Sequence, residues 1–318
     1  MSEEIPPRAP SALGRDDGEW EPLGIVKNVL VLIASPAHPA LNDGAIKCAV
    51  DVLRAQGATV GAPDWLAPDI ACDIPFDGPS TGVAMTALDG VVLPAAGRRK
   101  KLLVADMEST MIENEMLDEL ADFLGLREKI AGITARAMNG EIDFAGALKE
   151  RVGLLKGLPV ARLDEAAKRI RYTPGGATLV ATMKKHGARC ALVSGGFTHF
   201  TALVKQALGF DSDAANVLLH GSSTLSGTVA PPILGKAAKL ATLRRLVAEQ
   251  GLSTADAVSV GDGANDLPML KEAGLGVAFH AKPVVAAEVP ARIDHSDLTA
   301  LLYLQGYRRA DFAERNDP

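Results

Sequence analysis

An α/β fold, a Rossmann-like parallel sheet covered by helices with a helical cap insertion and a small N-terminal α+β domain, is what three observations in this 318-residue chain predict. From residue 102 onward, short apolar runs rich in branched residues alternate with helical patterns. Those runs are apolar at nearly every position, as strands buried on both faces of a parallel sheet must be. One stretch, 113–172, breaks the alternation with helices and loops alone, and it starts just after the first of those strands, where a cap would be inserted.

Taken in order, residues 1–24 are polar and proline-containing rather than basic then apolar; they read as a loose tail and not as a secretory leader. Residues 26–34 form a strand-length apolar run. Across 44–56, Ile46, Val50 and Leu53 recur at helical spacing, and Gly57 ends the helix. Prolines 63, 68, 75 and 79 interrupt the next stretch, and 88–93 adds a short strand, so that 25–97 should hold two to four strands. This unit has no catalytic pattern; a structural role stands beside a regulatory or dimerising one, which leaves a homodimer open. The basic run 97–101 reads as a solvated linker rather than a nucleic-acid patch. The main unit, 98–308, has strand candidates at 102–105, 188–193, 257–260 and 275–278, with helices over 174–186, 200–208 and 236–250. Residues 309–318 read as a polar C-terminal tail.

A net charge of -6 argues against a general affinity for nucleic acid or anionic membranes, and no apolar run reaches the ~20 residues of a membrane span. Cys48, Cys72 and Cys190 are widely spaced with no CxxC pair, as expected of reduced thiols in a cytoplasmic protein.

In a helix-covered parallel sheet, ligands sit beyond the carboxyl ends of the strands. Three strand candidates end in polar clusters: Asp106 to Thr110 (DMEST), Ser194 to Gly196 (SGG) and Gly261 to Asp266 (GDGAND). Asp106 and Asp262 suit a hard cation such as Mg2+, which takes few carboxylates and leaves room for phosphate and water; the main-chain carbonyl of Glu108 could add a ligand, and Asp266 would stand behind them. With a cation there, Asp106 becomes a candidate nucleophile for a phosphoryl group. Glu108, two residues on and on the same face of an extended segment, could protonate the leaving oxygen. Ser194 and Gly195 can cradle phosphate oxygens, and Asn265 is placed on the same substrate side. A lysine would complete the anion site: Lys239 is preferred, with Lys236 second. No hydrolase elbow, Walker loop, GxGxxG turn or HExxH pattern occurs.

These stretches, together with 106–123, 140–159, 192–197 and 260–270, resemble the haloacid-dehalogenase-type phosphatases over about residues 100–302, and within them the phosphoserine phosphatase family. The resemblance implies an aspartyl-phosphate on Asp106 and a small-molecule substrate, O-phospho-L-serine, hydrolysed to L-serine and phosphate as the last step of serine biosynthesis. It further implies that Glu115 receives the substrate ammonium, that Arg151 binds its carboxylate, and that Met138 and Phe144 close the pocket. Glu108 stands where that family's first motif usually has Asp. Transfer to another hydroxy amino acid such as homoserine is the nearer alternative, and a serine- or phosphoserine-binding regulatory protein the more distant one.

Overall fold

The apolar run near the start of the chain becomes a strand because both of its faces are covered. The computed structural model describes residues 26–138 and 141–318; the expected tail at 1–24 and the side chain of Met138 lie outside the described residues. The first unit runs β1 (Asn28–Ile33), α1 (Asp43–Ala55), β2 (Thr59–Val60), β3 (Asp64–Ala67), β4 (Ala71–Asp77) and β5 (Asp89–Pro94). Asn42 starts α1 by accepting the Ala45 N–H on its side chain at 3.0 Å. The strands form an antiparallel sheet ordered β2-β4-β1-β5, with β3 also paired to β4. Along β1, Val29, Val31 and Ile33 point into the large core, while Leu30 and Leu32 pack with Ile46, Val50 and Leu53 of α1.

This is five strands where the prolines suggested two to four. Pro75 lies inside β4, opposite Val29 of β1. Its carbonyl accepts from the Gly61 N–H, so its missing N–H faces the side where the short β2 ends and interrupts nothing toward β1.

The second unit begins with β6 (Leu102–Ala105). The cap follows as α2 (Met116–Asp122), α3 (Arg127–Met138), α4 (Phe144–Gly153) and α5 (Ala161–Ala167). The chain then continues through α6 (Gly176–Lys185), β7 (Arg189–Phe197), α7 (Thr198–Leu208), β8 (Ser212–Asn216), the hairpin β9 (Leu218–His220) and β10 (Leu225–Val229), and α8 (Lys236–Glu249). It ends with β11 (Ala257–Gly261), α9 (Leu267–Glu272), β12 (Leu275–Phe279), α10 (Pro283–Ala286), β13 (Ala291–Ile293) and α11 (Ala300–Leu304). The six-stranded sheet is ordered β13-β12-β11-β6-β7-β8 and every pairing in it is parallel. Leu102, Val104, Ala191 and Val193 face α8 and α9; Leu103, Cys190 and Leu192 face α6, α7 and α11. The expected helix-covered parallel sheet is therefore present. It gains β8 and β13 at its edges; β13 is too short, and β8 (SDAAN) too polar, to announce itself by periodicity.

The cap enters and leaves through neighbouring segments tied by a bridge between Ile112 and Tyr172, and α4 packs along β10. No helix among the described residues is long and apolar enough to cross a membrane.

Two segments that read as solvated are instead joints. Arg98, in the basic run, forms an ion pair with Asp73 of β4 with both side chains largely inaccessible. It also donates to the carbonyls of Tyr303 and Leu304 at 2.8 and 2.9 Å, which closes the open end of α11. From the opposite side, Asp89 of β5 accepts the N–H groups of Asp294, His295 and Ser296 just beyond β13. The C-terminal residues likewise fold back onto the core. Phe312 is buried, and Asp317 accepts the Gly175 and Ala177 N–H groups at 2.8 and 2.7 Å, capping α6 from a distant part of the chain. Charged residues concealed these contacts in the sequence, because a charge that pairs on folding looks the same there as one that stays in water.

Candidate active site

Strands β11, β6 and β7 are adjacent and parallel, so their carboxyl ends share one rim and deliver all three polar clusters to it. Asp106 follows β6 directly and extends its pairing through a bond from its N–H to the Val260 carbonyl. Asp262 follows β11, and Asp266 stands at the start of α9. Ser194 and Gly195 lie where β7 loses regular register with β8, between Val193 and Phe197.

Lys239, on the buried face of α8, joins two of these clusters. Its Nζ lies 2.7 Å from Asp106 Oδ2 and 2.6 Å from Asp266 Oδ1. Lys236, one turn earlier, is exposed. The other oxygen of Asp266 accepts the Gly263 N–H at 3.1 Å. A Cβ on Gly261 would stand 2.5 Å from the Asp266 Cγ, so glycine there is a packing requirement of the carboxylate. Asp106 Oδ1 accepts the N–H of Met107 at 2.7 Å.

One oxygen each from Asp106, Asp262 and Asp266 falls within 4.8 Å of the others, all buried. Burial and the neighbouring Asp266 carboxylate drive the Asp106 carboxyl well above its ordinary range, against the pull of Lys239. Burial also raises Asp262, against the pull of Lys282. For Lys239, burial acts to lower the pKa, but Asp106 and Asp266 raise it above the ordinary lysine value. Crowded carboxylates with oxygen donors alone match the ligand set of a hard divalent cation, which relieves their repulsion.

Lys282 was not anticipated from the sequence. It follows β12, the strand beside β11, and its Nζ lies 3.1 Å from Asp262 Oδ2. Its signal was available: it closes a fourth strand end on the same rim.

The Glu108 side chain stands outside the three-carboxylate cluster and turns toward the cap. Oε1 accepts the Met116 N–H at 2.9 Å, and a Cβ on Gly196 would lie 2.8 Å from Oε2. Burial and the nearby Glu115 push its carboxyl up to about 8. Glu115, the residue before α2, is exposed and accepts the Ser109 hydroxyl at 2.9 Å. Arg151, on α4, is half-buried; it has no ion pair among the described residues and bonds only the Ala147 carbonyl and the Thr134 hydroxyl. Its electrostatic neighbours include Glu108 and Glu115. Ser194 is buried, with its hydroxyl accepting the Gly196 N–H. Asn265 is half-buried over Gly263. Phe144, the first residue of α4, sets its ring against Gly195 and Gly235. Met138 ends α3, but its side chain is not described. The candidates therefore converge in two layers, a carboxylate–lysine floor and a cap layer of Glu115, Phe144 and Arg151.

A buried strand-end aspartate, a lysine bridge and an acidic third strand end on a capped parallel sheet define a class, and the chain belongs to the haloacid dehalogenase-like hydrolase family, whose model matches residues 103–271. It is 35% identical over 307 residues to a phosphoserine phosphatase of Streptomyces coelicolor, covering 92% of this chain and 74% of that one. A HAD family hydrolase of Salmonella enterica serovar Typhi superposes with a TM-score of 0.76 at 28% identity over 87% of this chain and 97% of its own. A phospho-aspartyl intermediate analogue of phosphoserine phosphatase superposes at 0.61 and 38% identity over 64% of this chain and 98% of its own.

Proposed function

We propose that the protein is a Mg2+-dependent phosphoserine phosphatase, hydrolysing O-phospho-L-serine to L-serine and phosphate. The observation that carries this reading is Lys239 bridging Asp106 and Asp266 beneath a cap whose Arg151 has no ion pair among the described residues.

Asp106, which Lys239 pulls toward its carboxylate form, attacks phosphorus through the oxygen that lysine leaves free, and the bond to the seryl oxygen breaks. Glu108, protonated at neutral pH by its raised pKa, gives its proton to that oxygen. Serine leaves, and the Glu108 carboxylate takes a proton from water as it attacks the phosphorus of the aspartyl-phosphate; phosphate departs and Asp106 is restored. Mg2+, held by Asp106, Asp262 and the Glu108 main-chain carbonyl with Asp266 behind them, would draw off phosphate charge as the anionic nucleophile approaches. Ser194, Gly195 and Lys239 hold phosphate oxygens, with Asn265 beside them. Glu115 takes the ammonium, and the fork of Arg151 takes the carboxylate. The longer Glu108 side chain reaches the Met116 N–H at the start of α2, and that contact fixes its extra carbon.

The test is phosphate release from phosphoserine, phosphothreonine and simple phosphomonoesters, with and without Mg2+, for wild type and Asp106→Asn. Mg2+-dependent release preferring phosphoserine and abolished in Asp106→Asn is expected. Unchanged release in that variant would overturn the nucleophile, and equal rates on all esters would overturn Glu115 and Arg151 as the selective groups.

A further inference from the structure

The seat of the cap residue Phe144 is made of two glycines that belong to different parts of the core. A Cβ on Gly195 would lie 3.1 Å from the ring Cζ, and one on Gly235 would lie 3.0 Å from Cδ1. Gly195 lies near the end of β7, where its register with β8 is lost, and Gly235 leads into α8, which carries Lys239. One buried side chain ties these two walls together. Asn216, the last residue of β8, is 1% exposed and uses both ends of its amide. Its Nδ2 donates to the Gly195 carbonyl at 2.8 Å and to the Leu234 carbonyl at 3.2 Å, while its Oδ1 accepts the Leu234 N–H at 2.7 Å. Toward Leu234 the amide thus supplies a donor and an acceptor together, as a strand partner does, and its second donor reaches across to Gly195.

We propose that Asn216 is a positioning residue that sets the width of the slot receiving Phe144 and thereby couples the Ser194–Gly196 end of β7 to closure of the cap. Asn216 touches neither substrate nor the reacting groups. Its influence runs through the ring: Phe144 begins α4 beside its N-cap Asp143, and Arg151 follows seven residues later, two turns on and on the same face. A seated Phe144 therefore orients the guanidinium. A slot too wide leaves the ring loose and a slot too narrow ejects it, since interiors tolerate misfits of less than a methyl group poorly.

Two variants change the slot by different means. Asn216→Asp keeps the acceptor but removes both N–H donors and sets a carboxylate against two carbonyls. Gly235→Ala leaves Asn216 intact and adds a methyl facing the ring, on an extended backbone (φ -110°, ψ -161°) that alanine adopts. Hydrogen exchange of the full chain without ligand is the first readout. Both variants should speed exchange of the α4 amides about tenfold or more while α6 changes less than about twofold, because the loss is local. Unchanged α4, or α4 and α6 accelerated alike, would overturn the proposal. Should Asn216→Asp fail to fold, Gly235→Ala decides by the same comparison.

The second readout rests on the phosphoserine reading. In Gly235→Ala, which leaves the Asn216 bond to Gly195 intact, KM for phosphoserine should rise about tenfold, with kcat/KM for phenyl phosphate within about threefold of wild type. In a Phe144→Ala background, Asn216→Asp should add less than about threefold, because both changes empty the same slot. Equal loss on both esters in Gly235→Ala, or effects of Asn216→Asp and Phe144→Ala that simply multiply, would overturn the coupling. A wild-type chain that releases no phosphate from phosphoserine would sink the proposed function alone, and the exchange comparison would still decide the slot.

Discussion

The core carries two appendages, and they are attached by opposite kinds of contact. The N-terminal sheet is joined through desolvated charge: Arg98 with Asp73, and Asp89 under three N–H groups, around an apolar face of β1 shared with the main core. The cap meets the core through apolar packing continuous with the main core, the Phe144 ring in a glycine slot, α4 on β10 with a main-chain bond from the Leu225 N–H to the Leu158 carbonyl, and the outlying pair His199–Asp164. Buried ion pairs are costly to separate, because each partner left alone in a dry site is unpaired. A ring leaving a slot breaks no charge pair. The first joint suits a permanent assembly and the second a surface that opens and closes to admit substrate and exclude water.

The largest expected effect strikes the permanent joint. Arg98→Ala should destabilise the chain by about 3–5 kcal/mol, since it leaves Asp73 buried without its partner. Denaturant unfolding measures this, and the folded fraction should keep its phosphate-release rate. A loss under about 1 kcal/mol would make this joint no firmer than a surface pair.

On the cap side, Arg151→Ala should raise KM for phosphoserine roughly 30-fold, the value of a charge-assisted pair worth about 2 kcal/mol, with little change in unfolding midpoint. Steady-state kinetics on phosphoserine and phenyl phosphate check it, the second ester being indifferent to the change.

Glu108 lies between the two layers and predicts a pH limb. Its carboxyl is protonated below about 8 and loses that proton as pH rises through it. The rate of aspartyl-phosphate formation should therefore fall about tenfold per pH unit above that value. In Glu108→Gln the limb should vanish along with about 100-fold or more of the rate. A limb that persists in Glu108→Gln would assign the proton to another group.

The smallest effect belongs to the outer cap contact. Asp164 is 75% exposed, so Asp164→Asn should shift kcat/KM less than about twofold, and still less at high salt. A large loss would mean that the cap, too, is held by charge.

Much of the rim was legible in the sequence because chemistry there is local. Asp106 and the GDGAND loop each follow a continuous apolar strand, and the strands' order brings them to one edge. Lys282 was missed because its signal was only its place beyond a fourth strand end, and a single lysine there is spelled like any solvated one. Asn216 was missed because β8 is largely polar, and a buried asparagine is spelled like any turn residue. Arg98 and Asp317 look solvent-facing in the sequence for the same reason.

The sequence by itself determined the parallel sheet, the cap insertion and the three strand-end clusters. Burial on both faces, helical spacing and strand-end polarity are properties of neighbouring residues, and they survive as patterns along the chain. Only the tertiary structure decided that Lys239 rather than Lys236 meets Asp106, that Glu108 turns toward the cap, and that Arg98, Asp317 and Asn216 are structural pins. Each of these depends on which distant group removes a polar side chain from water, and partners far apart in sequence leave no local trace of that pairing.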